Sequence, residues 1–287
     1  MAINWYPGHM HKAKKELVKA MPATAVFIEV LDARIPYASS NPMLGEIRGN
    51  IPCLRILNKA DLAESRTNQL WQAHFNGLKN SACLLNGLQD KLSTDNVLSV
   101  CRKLLRSSKD NRNSPFQIVI AGIPNVGKST LINQIADRKI AKTGNEPAVT
   151  KGQQRIKLDL DWYLLDTPGL LWPKIEDPDL GYRLACIGTI RNTAVEAEDI
   201  AWFAAELLLR DYWPALSKRY ELDAKPGQPE DLLLAIASAR GCVGKGGHVD
   251  WHKTAEILLN DFRSGKLGSL SLETPSILNQ PARLPGL

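Results

Sequence analysis

The stretch from Phe116 to Ser129, Phe-Gln-Ile-Val-Ile-Ala-Gly-Ile-Pro-Asn-Val-Gly-Lys-Ser, decides the fold of this chain. Residues 116–121 predict a strand. The strand leads into Gly122-Ile-Pro-Asn-Val-Gly-Lys-Ser129, which matches the complete phosphate-binding loop pattern, and a helical pattern starts at Thr130. A strand, a glycine loop and a helix in this order predict a P-loop nucleotide-binding site.

This loop carries the groups that hold nucleotide phosphates. Its successive backbone N–H groups are expected to surround the β-phosphate, Lys128 brings a cation to the β- and γ-oxygens, and the Ser129 hydroxyl coordinates Mg²⁺. A glycine turn that binds no phosphate is the alternative, and the complete match disfavours it. The predicted nucleotide contacts of the loop are Asn125, Val126, Gly127, Lys128, Ser129 and Thr130.

Two later features complete the phosphate side of the predicted site. Asp166-Thr-Pro-Gly169 follows a predicted strand at 162–165. At this place P-loop NTPases keep an acid that holds the Mg²⁺ shell, here through a water, and a glycine whose N–H senses the γ-phosphate. Taken alone, the four residues are also compatible with a tight turn. Thr150 lies in the polar segment between the two motifs, and its hydroxyl is predicted to join Mg²⁺ only in the triphosphate state.

A second kind of motif lies upstream of the P-loop. Asn58, Lys59, Ala60 and Asp61 end an apolar run that begins at Pro52. One carboxylate can accept both N1–H and N2–H₂ of guanine, a pair that adenine lacks, so Asp61 is predicted to read the base. The stem of Lys59 would cover the base, and Asn58 would tie this loop to the P-loop. A chance match is the alternative, which the preceding strand and the other motifs disfavour.

The companion loop that presents an N–H to guanine O6 is degenerate in this sequence. Asn86 and Gly87 follow a third predicted strand, 82–85, and are the preferred choice. Ser81-Ala82 is the alternative. Asn86, Gly87 and Gly169 therefore join the predicted nucleotide contacts.

The order of the motifs is a usual GTPase order that has been cut and rejoined. The guanine-reading loops precede the P-loop, and the polar stretch 106–114 has the composition of a linker. Domain termini often lie close together, so joining them through such a linker preserves every contact. Strands that alternate with helices predict a doubly wound, mainly parallel α/β sheet, whose ligands bind beyond the carboxyl ends of the strands. We therefore predict a circularly permuted P-loop GTPase domain over residues 1–180 and a small all-α domain over 181–287.

The C-terminal part of the chain has the pattern of helices, near 194–209, 229–240 and 251–263. The glycine-rich break Gly241-Cys-Val-Gly-Lys-Gly-Gly-His248 lacks a Ser or Thr after Gly-Lys and follows no strand, which argues against a second nucleotide site. It is interpreted as a connection between helices. Presentation of N–H groups and cations to RNA phosphates is an equally open alternative.

Charge and cysteine usage narrow the class of protein. The 287 residues are 44% hydrophobic, with a formal net charge of +6 and a pI near 9.0. A basic arm at the N-terminus indicates a polyanionic partner, more readily nucleic acid than an anionic membrane. The alternative is a helix face that is only solvated. Five scattered cysteines disfavour a zinc or redox site, and no signal peptide or membrane span is visible, so a reduced, cytoplasmic protein is expected. The residues of the arm are His9, His11, Lys12, Lys14, Lys15 and Lys19, with one acid, Glu16.

At this point the chain resembles the circularly permuted GTPases of ribosome assembly, most closely the ribosome biogenesis GTPase A family and its mitochondrial relatives. Beyond the nucleotide motifs, the likeness rests on Asn4-Trp-Tyr-Pro-Gly-His-Met10, Val30-Leu-Asp-Ala-Arg-Ile-Pro36 and Gly265-Lys-Leu-Gly268. The resemblance implies GTP hydrolysis with GTP/GDP and Mg²⁺ as ligands, association with the large ribosomal subunit during late maturation, and contacts from the helical domain to ribosomal RNA. A monomer is expected. Ala148 departs from the family, which usually has glycine there.

The predicted catalytic residues are His9, Lys128 and Thr150. Leu170 and Leu171 stand where Ras-like proteins place the Gln that orients the attacking water, so intrinsic hydrolysis is expected to be slow. His9 is the best substitute in the chain, because imidazole orients water and titrates near neutrality. Contact with RNA, or packing at the domain edge, is the alternative role for His9. Potassium-dependent relatives have an Asn before Val-Gly-Lys-Ser, so Asn125 is also a candidate K⁺ ligand.

Two other classes of function remain open at the level of sequence. A metabolic P-loop NTPase or kinase would need an acceptor site, and the C-terminal half shows no conspicuous carboxylate or histidine cluster to build one. An RNA-binding protein with a structural nucleotide site would show negligible turnover. Relative affinity for GTP and ATP distinguishes the first alternative from a GTPase. Hydrolysis measured with and without ribosomal subunits distinguishes the second.

Overall fold

The computed structural model of the chain describes residues 3–4, 8–108, 115–137, 154–190 and 195–279. The side chains of residues 3, 4, 8, 9 and 108 are outside that description. Thr150, and most of the predicted linker at 106–114, also lie outside the described residues.

The elements follow one another in an α/β order and then in an all-α order. The strands are β1 (Ile3–Asn4), β2 (Thr24–Asp32), β3 (Cys53–Asn58), β4 (Ser81–Asn86), β5 (Phe116–Gly122), β6 (Gln154–Lys157), β7 (Trp162–Asp166) and β8 (Lys174–Ile175). The helices are α1 (Gly8–Ala20), α2 (Pro36–Ser39), α3 (Pro42–Arg48), α4 (Ser65–Asn76), α5 (Thr94–Ser108), α6 (Lys128–Ile135), α7 (Pro178–Cys186), α8 (Ala197–Asp211), α9 (Trp213–Tyr220), α10 (Pro229–Ala239) and α11 (Trp251–Arg263). Short 3₁₀ turns cover Met21–Ala23, Ala60–Leu62 and Pro275–Asn279.

Six strands form one sheet in the order β4-β3-β2-β5-β7-β6. The first five are parallel, and β6 pairs antiparallel with β7 at the edge. Asp32 lies beside Asn58, and Asn58 lies beside Asn86, so β2, β3 and β4 end at the same level. The predicted doubly wound, mainly parallel fold is confirmed, and the loops after these strands share one edge of the sheet.

Burial on both faces explains the continuous apolar strands. Every residue of β2 is buried. On one side, α1 packs its buried Met10 and Leu17 into the same cluster as β2. On the other side, Leu31 packs with Trp71 and Phe75 of α4. A central parallel strand covered by helices in this way gains no benefit from polar alternation.

The helices α7–α11 pack around α8, which contacts the other four. The helices predicted from sequence correspond to α8, α10 and α11. The eight-residue α9 was not predicted, because it is short and starts with Trp-Pro directly after α8. After α11 the chain returns to the sheet, where the N–H of Leu272 donates to the carbonyl of Arg34 at 2.9 Å. The predicted domain boundary near residue 180 falls within α7 and stays a prediction.

Within the described ranges, no helix is long and apolar enough to cross a membrane. The five cysteines are buried and free. Burial raises the pKa of the Cys101 thiol to about 12, so this side chain stays protonated at neutral pH.

Candidate nucleotide site

The P-loop joins β5 to α6 by a turn that only glycine fits at two places. A Cβ on Gly122 would lie 2.7 Å from the carbonyl oxygen of Val30 in the neighbouring strand. Gly127 has φ 86, and a Cβ there would collide with Nδ2 of Asn58. The two glycines therefore let the loop lie directly against the neighbouring strand β2 and against the Asn58 motif.

Lys128, the first residue of α6, forms a buried ion pair with Asp166 at the end of β7. Burial lowers the pKa of the Lys128 ammonium, and the charge of Asp166 opposes that effect. The second carboxylate oxygen of Asp166, Oδ2, is buried without a hydrogen-bond partner. This orphaned oxygen points to a further ligand, because buried polar atoms are rarely left unpaired.

The Asp-Thr-Pro-Gly segment lies against the P-loop. The hydroxyl of Thr167 donates to the carbonyl of Ile120 at 2.8 Å, and a Cβ on Gly169 would stand 3.1 Å from the nitrogen of Pro124. The N–H of Leu170 donates to the carbonyl of Gly122 at 3.1 Å. The segment after β7 is thus held close to the loop before α6, as the predicted γ-phosphate sensor requires.

The Asn58 motif is joined to the P-loop by two side chains. Asn58 Nδ2 donates to the carbonyl of Val126 at 2.7 Å. Lys59, in the left-handed region with φ 58, donates through Nζ to the carbonyl of Asn125 at 2.7 Å and pairs with Asp32 at 3.0 Å. These contacts fix the position of the Asn58 motif, which is predicted to read guanine, relative to the P-loop.

Asp32 is a buried carboxylate between two cations that the sequence-based site did not include. Its Oδ1 and Oδ2 accept from Arg34 at 2.9 and 2.8 Å, and Oδ2 also accepts from Lys59. Burial alone would raise the pKa of Asp32, but the charges of Arg34 and Lys59 hold it well below its usual range. Asp32 therefore stays ionised and orients the Lys59 ammonium.

Of the two choices for the second guanine loop, Asn86 and Gly87 lie beside the Asn58 motif. Gly87 lies so close to Asp61 that its Cβ would be 3.0 Å from Asp61 Oδ1, and the N–H of Leu88 donates to that oxygen at 3.1 Å. Asn86 Nδ2 donates to Asn58 Oδ1 at 2.7 Å. Ser81 starts β4 and lies at the opposite end of the strand. No sequence pattern indicated Leu88, because its backbone N–H and not its side chain makes the contact.

The P-loop also contacts the helical region. Asn125, with φ 65, donates through Nδ2 to the carbonyl of Gly188 just after α7. The hydroxyl of Thr189 donates to the carbonyl of Pro124 at 2.9 Å. Arg263 at the end of α11 donates to the carbonyl of Cys186 at 2.9 Å. These contacts connect α7 and α11 to the phosphate end of the site, and no local sequence pattern announces them.

The other predicted residues lie away from this site or outside the described part of the chain. Thr150 is outside the described residues, and for His9 only the backbone at the start of α1 is described. The glycine-rich stretch 241–248 forms a small turn between α10 and α11, where the N–H of Gly244 donates to the carbonyl of His248 at 2.8 Å. In the described part of the chain, no group of three or more His, Cys, Asp or Glu side chains could hold a metal.

Comparison with known proteins places these features in a family. A family model described as "50S ribosome-binding GTPase" matches residues 117–204. Ribosome biogenesis GTPase A of Bacillus pumilus is 40% identical over 281 residues, which cover 96% of this chain and 99% of that protein. Mitochondrial ribosome-associated GTPase 1 of Mus musculus is 32% identical over 94% of this chain and 89% of that protein.

Solved structures show the same likeness. The GDP-bound YlqF structure and the GNP-bound YlqF structure from T. maritima each match with a TM-score of 0.64 at 25% sequence identity. They cover 91% and 92% of this chain, and 98% of the matched chain in both cases.

Proposed function

This chain belongs to the ribosome biogenesis GTPase A family, and from that membership we propose that it is a GTP-binding and GTP-hydrolysing switch in late assembly of the large ribosomal subunit. Residues 1–180 form the GTPase domain in this proposal. Residues 181–287 form a helical domain that binds ribosomal RNA, and the protein acts as a monomer in the cytoplasm. The basic arm at the N-terminus, with Lys12, Lys15 and Lys19 in α1, supports a polyanionic partner.

The observation that carries the proposal is the convergence of the loops at the carboxyl ends of β2, β3, β4, β5 and β7. Asp61 lies on one side of this edge, next to Gly87, and Lys128 lies on the other, next to Asp166. A base reader and a phosphate binder are thus joined through Asn58 and Lys59. This arrangement favours a guanine nucleotide over an adenine nucleotide, because Asp61 accepts the two donors that only guanine presents.

The residues present fit a Mg²⁺ ion with the triphosphate. The Ser129 hydroxyl in the first turn of α6, and Asp166 through a water, would hold it, and the orphaned Oδ2 of Asp166 supports this assignment. When bound, Mg²⁺ would neutralise negative charge on the phosphates. Lys128 Nζ would exchange Asp166 for phosphate oxygens. The Asn125 side chain would offer Oδ1 to K⁺, since its Nδ2 is already bonded to Gly188.

No glutamine follows Asp166-Thr-Pro-Gly169 to orient the attacking water. Leu170 and Leu171 are both fully buried and apolar. In the proposed mechanism the N–H of Gly169 would bind the γ-phosphate, Thr150 would help to hold Mg²⁺, and His9 would orient the attacking water when the ribosome holds the N-terminal arm in place. The isolated protein would therefore turn over slowly.

The test is GTP hydrolysis with and without purified large subunits, measured as released phosphate in single- and multiple-turnover conditions. We expect a slow intrinsic rate and a stimulation of at least about tenfold, as stabilised transition-state charge gives in related systems. Lys128→Ala is the control, since it should abolish both rates. Equal rates with and without subunits, or preference for ATP in a binding assay, would refute the proposal.

A further inference from the structure

The stretch Gly265–Glu273, which we call the C-terminal segment, lies along the loop that carries Asp61. The hydroxyl of Ser269 donates to the carbonyl of Asp61 at 2.8 Å. The N–H of Leu270 donates to the carbonyl of Leu62 at 2.9 Å. Two successive backbone carbonyls of the guanine-reading loop are therefore bonded to a part of the chain that follows the last helix.

The next residue extends this contact and is itself held in place. The N–H of Glu64 donates to Ser271 Oγ at 3.1 Å. The N–H of Ser271 donates to the phenolic oxygen of Tyr212, which follows α8, at 3.0 Å. The Tyr212 hydroxyl also lies 2.8 Å from the carbonyl of Ser271 and 2.9 Å from Glu64 Oε2. The helical region thus fixes the C-terminal segment where the segment contacts the guanine-reading loop.

The far end of the segment is anchored on the sheet. Glu273 is buried and accepts from the N–H of Tyr37 at 2.8 Å and from the N–H of Ala38 at 3.2 Å, both at the start of α2. The indole N–H of Trp71 donates to the carbonyl of Glu273 at 3.1 Å. With α8 at one side and β2–α2 at the other, the segment has little freedom to shift alone.

The near end of the segment explains the motif Gly265-Lys-Leu-Gly268. Gly265 has φ +75, and a Cβ on it would lie 2.6 Å from Cδ2 of Leu62. The N–H of Gly268 donates to the carbonyl of Gly265 at 3.0 Å and closes a turn. A glycine is therefore needed where the chain leaves α11 and meets the guanine-reading loop.

On its base side, the loop is held by other groups. The carboxylate of Asp61 accepts from the N–H of Leu88, and the carbonyl of Ala60 accepts from Asn68 Nδ2 at 2.9 Å. These contacts leave the backbone after Asp61 to the C-terminal segment. The C-terminal segment therefore supports the backbone of Asp61 and Leu62 directly.

We propose that the C-terminal segment is a positioning element for guanine recognition. It holds the backbone of Asp61 so that the carboxylate meets N1–H and N2–H₂ of the base, and it makes guanine affinity depend on how α8 and α11 lie against the sheet. The inference rests on the proposed function, because it presumes that Asp61 reads guanine. It adds a route between the RNA-binding helices and the nucleotide that runs through the base and not through the γ-phosphate.

The test is the double variant Ser269→Ala/Ser271→Ala, whose affinity for GDP is measured by calorimetry and whose GDP release is measured with a fluorescent analogue. Loss of two hydrogen bonds to the loop should weaken GDP binding about three- to tenfold, mainly through faster release. The turnover number at saturating GTP should not change, because no group that meets the γ-phosphate is altered. Ser269→Ala alone, at an exposed position, should show a smaller loss and keeps the test valid if the double variant does not fold.

The matched control is Ser264→Ala, which removes a hydroxyl bonded within the end of α11, to the carbonyl of Asn260. It should bind GDP as the unaltered protein does. Repeating the double variant in an Asp61→Ala background distinguishes an effect through Asp61 from a general structural effect on GDP binding. There the loss should fall below about twofold, because the segment acts through Asp61.

Two outcomes would overturn the inference. One is wild-type GDP affinity and release in a folded double variant. The other is an undiminished loss in the Asp61→Ala background. The proposed function fails in a different way, through a wild-type chain that binds ADP as well as GDP or binds neither.

Discussion

At the scale of single residues, Asp61 stands where two loops meet and where a third segment supports them. Its carboxylate is bonded to the N–H of Leu88, and its carbonyl to the hydroxyl of Ser269. The sequence indicated Asp61 and Lys128 because short patterns with a strict chemical logic mark them. It did not indicate Leu88 or Ser269, because contacts made by a backbone N–H, or across 208 residues, have no local signature.

Asp61→Asn should weaken GTP binding and improve binding of xanthosine triphosphate. An amide no longer accepts both N1–H and N2–H₂, but its NH₂ can donate to the C2 carbonyl of xanthine. Competition binding of the two triphosphates to both proteins measures the exchange. Asp61→Glu is the control, since it keeps the carboxylate. Unchanged GTP affinity in Asp61→Asn would remove Asp61 from base recognition.

Leu170→Gln should fail to restore a Ras-like rate. Leu170 is fully buried, so the amide would lie in an apolar site and cost about 1–3 kcal/mol for its unmade hydrogen bonds. We expect a melting temperature several degrees lower and no rise in intrinsic GTP hydrolysis. Leu160→Gln, at a side chain that is 80% exposed, is the control and should leave both quantities unchanged. A faster variant would mean that this position reaches the water after all.

At the scale of elements, β3, β4, β5 and β7 were predicted within about two residues of their observed bounds. Among the elements that were not predicted are β6 and α9. β6 has a single buried residue in Gln-Arg-Ile-Lys, and its pairing with β7 gives it strand geometry that its own composition does not announce. α9 depends in the same way on α8, against which it packs.

The start of α1 is the element on which the hydrolysis proposal depends. β1 pairs antiparallel with β8, which begins at Lys174, shortly after the predicted γ-phosphate sensor Gly169. His9→Ala should abolish subunit-stimulated hydrolysis while GTP affinity and subunit binding stay normal. Phosphate release and subunit co-sedimentation are the measurements, with His11→Ala as the control on the same helix. Loss of subunit binding with a normal rate per bound complex would make His9 an RNA contact instead.

At the scale of the whole molecule, the buried carboxyl of Glu273 joins the chain after α11 to the sheet. Burial raises the pKa of the Glu273 carboxyl to about 7, partly opposed by Arg183. The unfolded chain ionises this group near pH 4.5. Between those pH values only the folded state keeps the proton, so the contribution of Glu273 to stability is complete below the unfolded pKa and is lost as the pH rises through the folded pKa.

Glu273→Gln should therefore remove a pH dependence of at most about 3 kcal/mol. The melting temperature of Glu273→Gln minus that of the unaltered protein should rise by several degrees between about pH 5 and about pH 8. Differential scanning calorimetry in matched buffers measures it. Glu176→Gln, at an exposed carboxylate, should show a constant difference. A flat difference for Glu273→Gln would mean that the buried carboxyl titrates as an ordinary one.

The contact between Ser269 and Asp61 also has a consequence for synthesis. The guanine-reading loop is translated 208 residues before the serine that supports it. A nascent chain that has not reached residue 273 already contains the P-loop and Asp61 but lacks the complete C-terminal segment. On our proposal, such a chain binds GDP and GTP weakly. Because the C-terminal segment is translated after the guanine-reading loop, our proposal places tight nucleotide binding after the synthesis of the helical region. Premature entry into the assembly cycle by partial chains is disfavoured by the order of the chain itself.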